Sequence, residues 1–135
     1  MIVADASLIA YFAIRDVHSE LADAVCATDA VWVSPLLWRS EFRNTLTKYI
    51  QHAGMSLDAA MIALRSAEEI IGTGEYRVSS RQVLELAMQS KCTAYDCEYV
   101  ALAQELGVPL VTADKQLLRA FPKTAMSMEA FVKRK

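Results

Sequence analysis

Short apolar runs alternate along this chain with longer segments whose apolar residues recur at helical spacing. The first run, Ile2-Val3-Ala4, is apolar on successive residues, and a later one lies within 109–112. Strands that are covered on both faces of a sheet have this pattern. Strands that alternate with helices indicate parallel pairing with right-handed crossovers. The sequence therefore predicts an α/β fold with a central parallel sheet.

Turn and capping residues set the expected element bounds. Helices are expected over 7–13, 19–27 and 36–52, then between Ser56 and Gly72, from Ser80, between Thr93 and Gly107, and after Asp114. Strands are expected at 2–4, 31–33, 76–78, 109–112 and 125–127. If the first strand is central, Asp5 follows it at the point where ligands bind in such sheets.

Bulk composition narrows the class of protein. The 135 residues contain no repeat or linker-like segment, so one domain covering 1–135 is predicted. A net charge of −2 gives no overall attraction to nucleic acid, so such contacts would need a local basic face. Three cysteines without a C-x-x-C pair argue against a disulfide framework or a thiolate zinc site. With no signal peptide and no stretch of about 18 apolar residues, a soluble cytoplasmic protein without membrane contact is predicted.

Four acidic residues stand at well-separated places near predicted element ends: Asp5, Glu41, Asp96 and Asp114. If the first and fourth strands are parallel neighbours, Asp5 and Asp114 emerge side by side at one edge of the sheet. Carboxylates gathered in this way repel one another unless a cation binds between them. The pattern therefore indicates a divalent-metal site.

Each of these acids also has a structural interpretation. Asp5 and Asp114 precede helices that they could cap, and Asp96 near a helix start would complement the helix dipole. Glu41 could be solvated near Arg39 or Arg43. Capping alone does not explain the apolar neighbours of Asp96 and Glu41, where an unpaired carboxylate is costly and a metal ion relieves the cost. Glu98, two residues after Asp96, is expected to face solvent.

Four segments carry a resemblance to a known family: Met1-Ile2-Val3-Ala4-Asp5-Ala6-Ser7, Ser40-Glu41-Phe42, residues 95–103 beginning Tyr95-Asp96-Cys97, and Leu110-Val111-Thr112-Ala113-Asp114. In this order and spacing the chain resembles the PIN-domain nucleases and, among them, the VapC-like ribonuclease toxins of type II toxin–antitoxin pairs. The resemblance covers essentially the whole chain and implies a single three-layer α/β/α domain with a parallel sheet. One departure is Gln116, where many relatives carry a further acid.

The resemblance implies that Asp5, Glu41, Asp96 and Asp114 are the catalytic residues and form an acidic cluster that binds Mg²⁺ or Mn²⁺. Asp5 and Asp96 are the expected primary ligands, and Ser7 and Thr112 match polar positions beside the cluster. Oxygen ligands suit these hard cations. The bound ion would polarise the scissile phosphate and activate a water for in-line attack.

The resulting hypothesis is a metal-dependent endoribonuclease that cleaves single-stranded or structured RNA, forms a homodimer and is inhibited by a cognate antitoxin. An Arg-bearing antitoxin segment would enter the acidic cleft, with the rest of the segment on helices 38–49 and 57–64. The basic residues Arg39, Arg43, Lys48, Lys115 and Arg119 are candidates for phosphate contacts. Two alternatives stay open: a PIN-type RNA-processing nuclease without an antitoxin, and a non-enzymatic α/β binding module whose acids are helix caps.

Overall fold

The computed structural model describes residues 1–134 as a five-stranded parallel sheet flanked by helices. The strands are β1 (Ile2–Ala4), β2 (Trp32–Pro35), β3 (Glu75–Tyr76), β4 (Leu110–Val111) and β5 (Ala125–Met126). The helices are α1 (Ala6–Ala13), α2 (Ser19–Thr28), α3 (Trp38–His52), α4 (Leu57–Ile71), α5 (Ser80–Ser90), α6 (Ala94–Leu106), α7 (Lys115–Ala120) and α8 (Met128–Lys133). The predicted α/β/α architecture is confirmed.

The strand order β3-β2-β1-β4-β5 makes β1 the central strand. Val3 pairs with Val33 of β2 on one side and with Leu110 of β4 on the other. The chain winds outward from β1 through β2 and β3, and then through β4 and β5 on the opposite side. The winding therefore reverses between β1 and β4, and the crevice outside their carboxyl ends is where ligands bind in this kind of sheet.

Two groups of helices cover the faces of the sheet. On one side α1 packs on α2, α3 and α4, and α2 packs on α8. On the other side α6 lies against β1, β2 and β4, and α5 packs on α6. The three residues of β1 have no exposed surface, and five consecutive residues of α6 from Tyr99 to Ala103 are at most 2% exposed. This double covering explains why these two segments lack any polar alternation.

Helix α8 is the element that the sequence did not predict. Met128 and Phe131 are buried, whereas Lys133 and Arg134 are exposed, and the Arg134 guanidinium lies 5.1 Å from the Phe131 ring centroid. Lys135 lies outside the described residues. Ser127 caps the start of the helix, and its side chain accepts a hydrogen bond from the Ala130 amide. A helix of six residues is too short to show a clear helical period in the sequence. It is stabilised by packing on α2.

Other local predictions were close. Ser56 and Thr93 cap α4 and α6, and Gly72 and Gly107 end these helices at positive φ. All three cysteines are free thiols, two of them buried. Within residues 1–134, none of the helices combines the length and apolar character that a membrane span requires.

Candidate metal centre

Asp5 is fixed at the carboxyl end of β1 by hydrogen bonds to both carboxylate oxygens. Oδ1 accepts from the Ser7 hydroxyl at 2.6 Å and from the Leu8 amide at 3.0 Å, and Oδ2 accepts from the Thr112 hydroxyl. Asp5 is only 5% exposed. It therefore caps α1, as the structural interpretation predicted, and it is also tied to the end of β4. A helix cap needs one of these bonds, so the other two serve to orient the carboxylate.

Ser7 and Thr112 connect Asp5 to the loop that carries Asp114. The Ser7 hydroxyl accepts from the Ala113 amide at 3.1 Å, and the Thr112 hydroxyl accepts from the Asp114 amide at 2.9 Å. Asp114 in turn caps α7 by accepting from the amides of Gln116 and Leu117. The two polar positions beside the acids therefore form the link between the neighbouring strand ends.

Glu41 and Asp96 reach the same place from opposite helical layers. Glu41 lies in the first turn of α3, and its Oε1 accepts from the Tyr99 hydroxyl at 2.5 Å. Asp96 lies in the first turn of α6, where its amide donates to the Thr93 hydroxyl and its carboxylate interacts with Thr93. These two acids line one cleft of about 240 Å³ together with Asp5, Asp114, Ser7 and Tyr99. All four sequence-predicted acids therefore face the acid cleft.

The acids of the cleft disfavour one another's ionised forms. Burial raises the pKa of Asp5, and the charge of Asp114 adds to the rise. Burial and the charge of Asp114 likewise raise the pKa of Asp96. Burial raises the pKa of Glu41, and Asp96 adds to it, while the Tyr99 hydroxyl acts in the opposite direction. A cation in the cleft would reverse these effects.

The donor set suits a hard cation that keeps part of its water shell. Within residues 1–134, no three His, Cys, Asp or Glu side chains are arranged as a ready-formed metal site. Mg²⁺ commonly binds through one or two carboxylates and several waters, so the ligands need not converge on one point. Four carboxylates around one small cleft, without Cys or His, fit Mg²⁺ or Mn²⁺ and not zinc or copper.

Capping alone does not account for the choice of acids. Asp5 and Asp114 do cap helices, and Asp96 does interact with the residue that caps α6. Asn and Ser cap helices as well as Asp does, and they carry no charge. Carboxylates at all three positions add repulsion that neutral caps would avoid. Glu41 has no capping role in residues 1–134, and its partner is Tyr99 of another helix.

Four cleft residues were not among the predicted catalytic, metal or supporting residues, and one of them, Lys48, had been named only as a candidate for phosphate contacts. Asn44, Thr45 and Lys48 line the cleft on α3, three, four and seven positions after Glu41. Tyr99 lies three positions after Asp96 on α6, and it is 2% exposed. Helical spacing from the two predicted acids is the signal that would have found all four. Lys48 brings a cation into the acidic cleft, as the list of basic candidates allowed.

Two expectations about nearby charges are wrong. Arg39 does not face the cleft, because its guanidinium binds Glu75 and Glu68 at 2.6 and 2.8 Å and thereby joins β3 and α4 to α3. Glu98 is not simply solvated, because it is half-buried and burial raises its pKa. Sequence spacing placed Glu98 off the face of Asp96 but could not show what covers that side of the helix.

Replacing Asp96 by Asn tests the electrostatic account of the cleft. Without metal, Asp96→Asn should raise the melting temperature by about 4 °C for each kcal/mol of repulsion relieved in a chain of this size. Mg²⁺ should stabilise the wild-type protein and stabilise the variant much less. Asp58→Asn, which removes an exposed acid from the first turn of α4, is the matched control. If Asp96 has only a structural role, Asp96→Asn should melt at a slightly lower temperature than wild type, and Mg²⁺ should not change the difference between the two proteins.

The same pair of proteins has an expected pH dependence. Because the folded-state pKa of Asp96 is raised, the folded protein holds this proton to higher pH than the unfolded chain does. The favourable contribution is therefore present below the unfolded pKa of about 4 and is lost as pH rises through the folded pKa. The melting-temperature advantage of Asp96→Asn should grow as pH rises, and a pH-independent difference would contradict the account.

Comparisons with known proteins agree with this architecture. A model of the PIN domain family matches residues 2–122. The chain is 30% identical over 124 residues to the protein named Ribonuclease VapC3 from Pyrobaculum aerophilum. The aligned residues make up 90% of this chain and 95% of that protein. The crystal structure of PAE2754 from Pyrobaculum aerophilum superposes with a TM-score of 0.78 at 24% identity, and covers 98% of this chain and 87% of that one. The predicted resemblance is confirmed, and the chain belongs to the PIN domain family, with a VapC ribonuclease among its relatives.

Proposed function

We propose that this protein is a metal-dependent endoribonuclease that acts as the toxin of a type II toxin–antitoxin pair. The observation that carries the proposal is Asp5, held through both oxygens at the switch point of the sheet and facing Glu41, Asp96 and Asp114 across one cleft. The PIN family match and the VapC relative support a nuclease of this type.

We propose different roles for the four acids. Asp5 and Asp96 are proposed as primary ligands of Mg²⁺ or Mn²⁺, with Asp114 and Glu41 binding directly or through water. When bound, the ion supplies polarisation of the scissile phosphate and a lowered pKa of coordinated water. The hydroxyls of Ser7 and Thr112 hold the Asp5 carboxylate in one orientation. Such supporting contacts typically change metal affinity or activity by about 10–100-fold.

Of the two acids that could orient the attacking water, Asp114 and Glu41, we propose Glu41. The buried Tyr99 hydroxyl holds Oε1 of Glu41, which leaves Oε2 to accept from a water in the cleft. Lys48, two turns further along α3, lines the same cleft and is exposed, so it can reach a phosphate oxygen of the RNA. Because Asp5, Asp96 and Asp114 would repel a polyanion, a cation at this position lowers the cost of bringing RNA to the cleft.

The antitoxin site proposed from the sequence needs one correction. Trp38, Phe42 and Leu46 of α3 are buried in the core, so this stripe is not part of a docking groove. The apolar side chains that α4 leaves exposed are Leu57 at 68%, Ile62 at 66% and Met61 at 39%. We propose that an antitoxin covers this face of α4 and directs an Arg side chain to the acid cleft. Residues 1–135 as one domain, homodimerisation and a cytoplasmic location belong to the same proposal.

Incubation of total RNA with purified protein tests the activity. Cleavage at discrete sites should appear with Mg²⁺ or Mn²⁺ and stop when a chelator is added in excess, because the acids need a bound cation. Mapping the 5′ ends of the products locates the cut sites. Cleavage that persists in excess chelator would contradict metal dependence, and intact RNA under all metal conditions would favour the binding-module alternative.

A further inference from the structure

A second cavity opens beside the acid cleft at the same edge of the sheet, and we call it the flanking cavity. Its volume is about 470 Å³. Its walls are formed by the ends of β2 and β3 with the residues that follow them, and by the first two turns of α5 and α6. They include Leu36, Tyr76, Arg77, Val83, Leu84 and Glu98. This size lies within the range of sites that bind small ligands.

Glu98 joins the flanking cavity to the acid cleft. It lies two residues after Asp96 on α6, so the two side chains leave the helix on different sides. Asp96 lines the acid cleft, and Glu98 lines the flanking cavity. The two residues are near neighbours on one helix, so the two cavities lie on adjacent sides of the start of α6. A strand whose phosphate lies at the acid cleft can therefore extend a neighbouring nucleotide toward the flanking cavity.

The carboxylate of Glu98 is an acceptor without a donor. It is half-buried, and among residues 1–134 it accepts no hydrogen bond and forms no ion pair. An ionised carboxylate can only accept hydrogen bonds, so both oxygens of Glu98 are open to donors of a ligand in the cavity. A ligand with two adjacent N–H groups would satisfy both oxygens at once.

Arg77 and the apolar walls of the cavity favour a ligand that has both an anionic group and an apolar face. Arg77 is exposed at the cavity wall and forms no ion pair with residues 1–134, so its guanidinium is available to an anion. Tyr76 and Leu36 offer flat or apolar surface. A nucleotide combines an apolar base face, donors on the base edge and an anionic phosphate. A basic peptide segment would find Glu98 but would be repelled by Arg77.

We propose that the flanking cavity binds a guanine base next to the scissile phosphate, with Glu98 accepting from its N1–H and N2–H₂ groups and Arg77 binding a phosphate of the same strand. Guanine presents two adjacent donors on its Watson–Crick edge, whereas the other three bases of RNA place an acceptor beside each donor. Unpaired bases are read on this edge in single-stranded RNA. This subsite rests on the proposed ribonuclease function and adds sequence specificity to it.

The first test maps cut sites on a random-sequence single-stranded RNA with wild-type protein, Glu98→Gln and the control Glu105→Gln, which alters an exposed acid of the same helix. Wild-type cut sites should carry guanine at one fixed position beside the cut. Glu98→Gln should reduce this preference about tenfold, the typical scale for a bidentate base contact, and Glu105→Gln should leave it unchanged. Arg77→Gln should weaken cleavage at all sites and reduce its salt dependence.

The second test measures binding without catalysis, using Asp5→Asn and the double variant Asp5→Asn/Glu98→Gln. A fluorescent oligonucleotide carries either guanine or hypoxanthine at the mapped position, since hypoxanthine lacks the N2 amino group. Hypoxanthine should weaken binding about tenfold when Glu98 is present and hardly at all when Gln replaces it.

Four results would overturn the subsite. Wild-type cut sites without a guanine preference, or an unchanged preference in Glu98→Gln, would remove its basis. An unchanged cut pattern in Glu98→Gln together with weaker antitoxin binding would assign the flanking cavity to a protein partner. Failure of the wild-type protein to cleave any RNA would overturn the proposed function and the subsite with it, and is recognised by the absence of cut sites of any sequence.

Discussion

Asp5→Asn should reduce RNA cleavage by on the order of 10³-fold or more, with the helical circular-dichroism signal unchanged. Both oxygens of Asp5 already accept hydrogen bonds within the protein, and the negative charge they share is what a metal ion would bind. Asn has the same shape and caps helices as well as Asp does, so the start of α1 should survive the substitution. The measurement is the single-turnover cleavage rate of a mapped RNA substrate at saturating Mn²⁺.

Asp58→Asn is the control for this loss of activity, because it also removes one negative charge from the first turn of a helix. Asp58 is exposed on α4 and does not line the acid cleft. Its rate should stay within about twofold of wild type. Ser7→Ala and Thr112→Val should fall in between, about 10–100-fold down, because they release Asp5 without removing its charge. A wild-type rate for Asp5→Asn would show that the site assignment is wrong.

Expression of the wild-type protein alone should arrest the growth of a bacterial host, whereas Asp5→Asn expressed to the same level should not. An acid cleft that cleaves cellular RNA depletes molecules that the host needs, and no inhibitor is present in that host. Co-expression of the cognate antitoxin should restore growth. Colony counts after induction, normalised to the soluble protein measured on gels, give the size of the effect.

The exposed face of α4 provides a matched pair of variants for the antitoxin. Ile62→Lys places a charge where the antitoxin is proposed to lie, so this variant should still arrest growth when the antitoxin is co-expressed. Met88→Lys places the same charge on α5, where the side chain is 85% exposed, and it should stay neutralised by the antitoxin. Normal growth under strong induction of soluble wild-type protein would contradict the toxin assignment and favour an RNA-processing nuclease.

The sequence predicted the parallel sheet and the four acids because both follow from local patterns. β1 lies between two strands and is covered by helices on both faces. Ile2-Val3-Ala4 is therefore entirely apolar, which is the pattern from which a buried strand is predicted. The acids come directly after strands or near helix starts, where parallel topology brings chain segments together. The proximity of Asp5 and Asp114 could therefore be predicted once β1 and β4 were taken to be parallel neighbours.

What the sequence did not predict depends on contacts between distant elements. Tyr99 reads as one more apolar residue of α6, and only the packing of α6 near α3 brings its hydroxyl to Glu41. The sequence predicts an unpaired cation at Arg39, beside Glu41. In the structure Arg39 forms ion pairs with Glu68 of α4 and Glu75 of β3. The half-burial of Glu98 arises in the same way, since it depends on side chains from β2, β3 and α5 that spacing within α6 cannot reveal.

Direct measurement of Mn²⁺ binding tests the central claim that the four carboxylates form one metal centre. Electron paramagnetic resonance reports free Mn²⁺ during a titration of wild-type protein, Asp5→Asn, Asp96→Asn and the control Asp58→Asn, with no RNA present. The account predicts saturable binding to wild type and to Asp58→Asn, and a loss of affinity of at least tenfold in both Asp5→Asn and Asp96→Asn. Equal binding by all four proteins, or no binding by wild type, would contradict it.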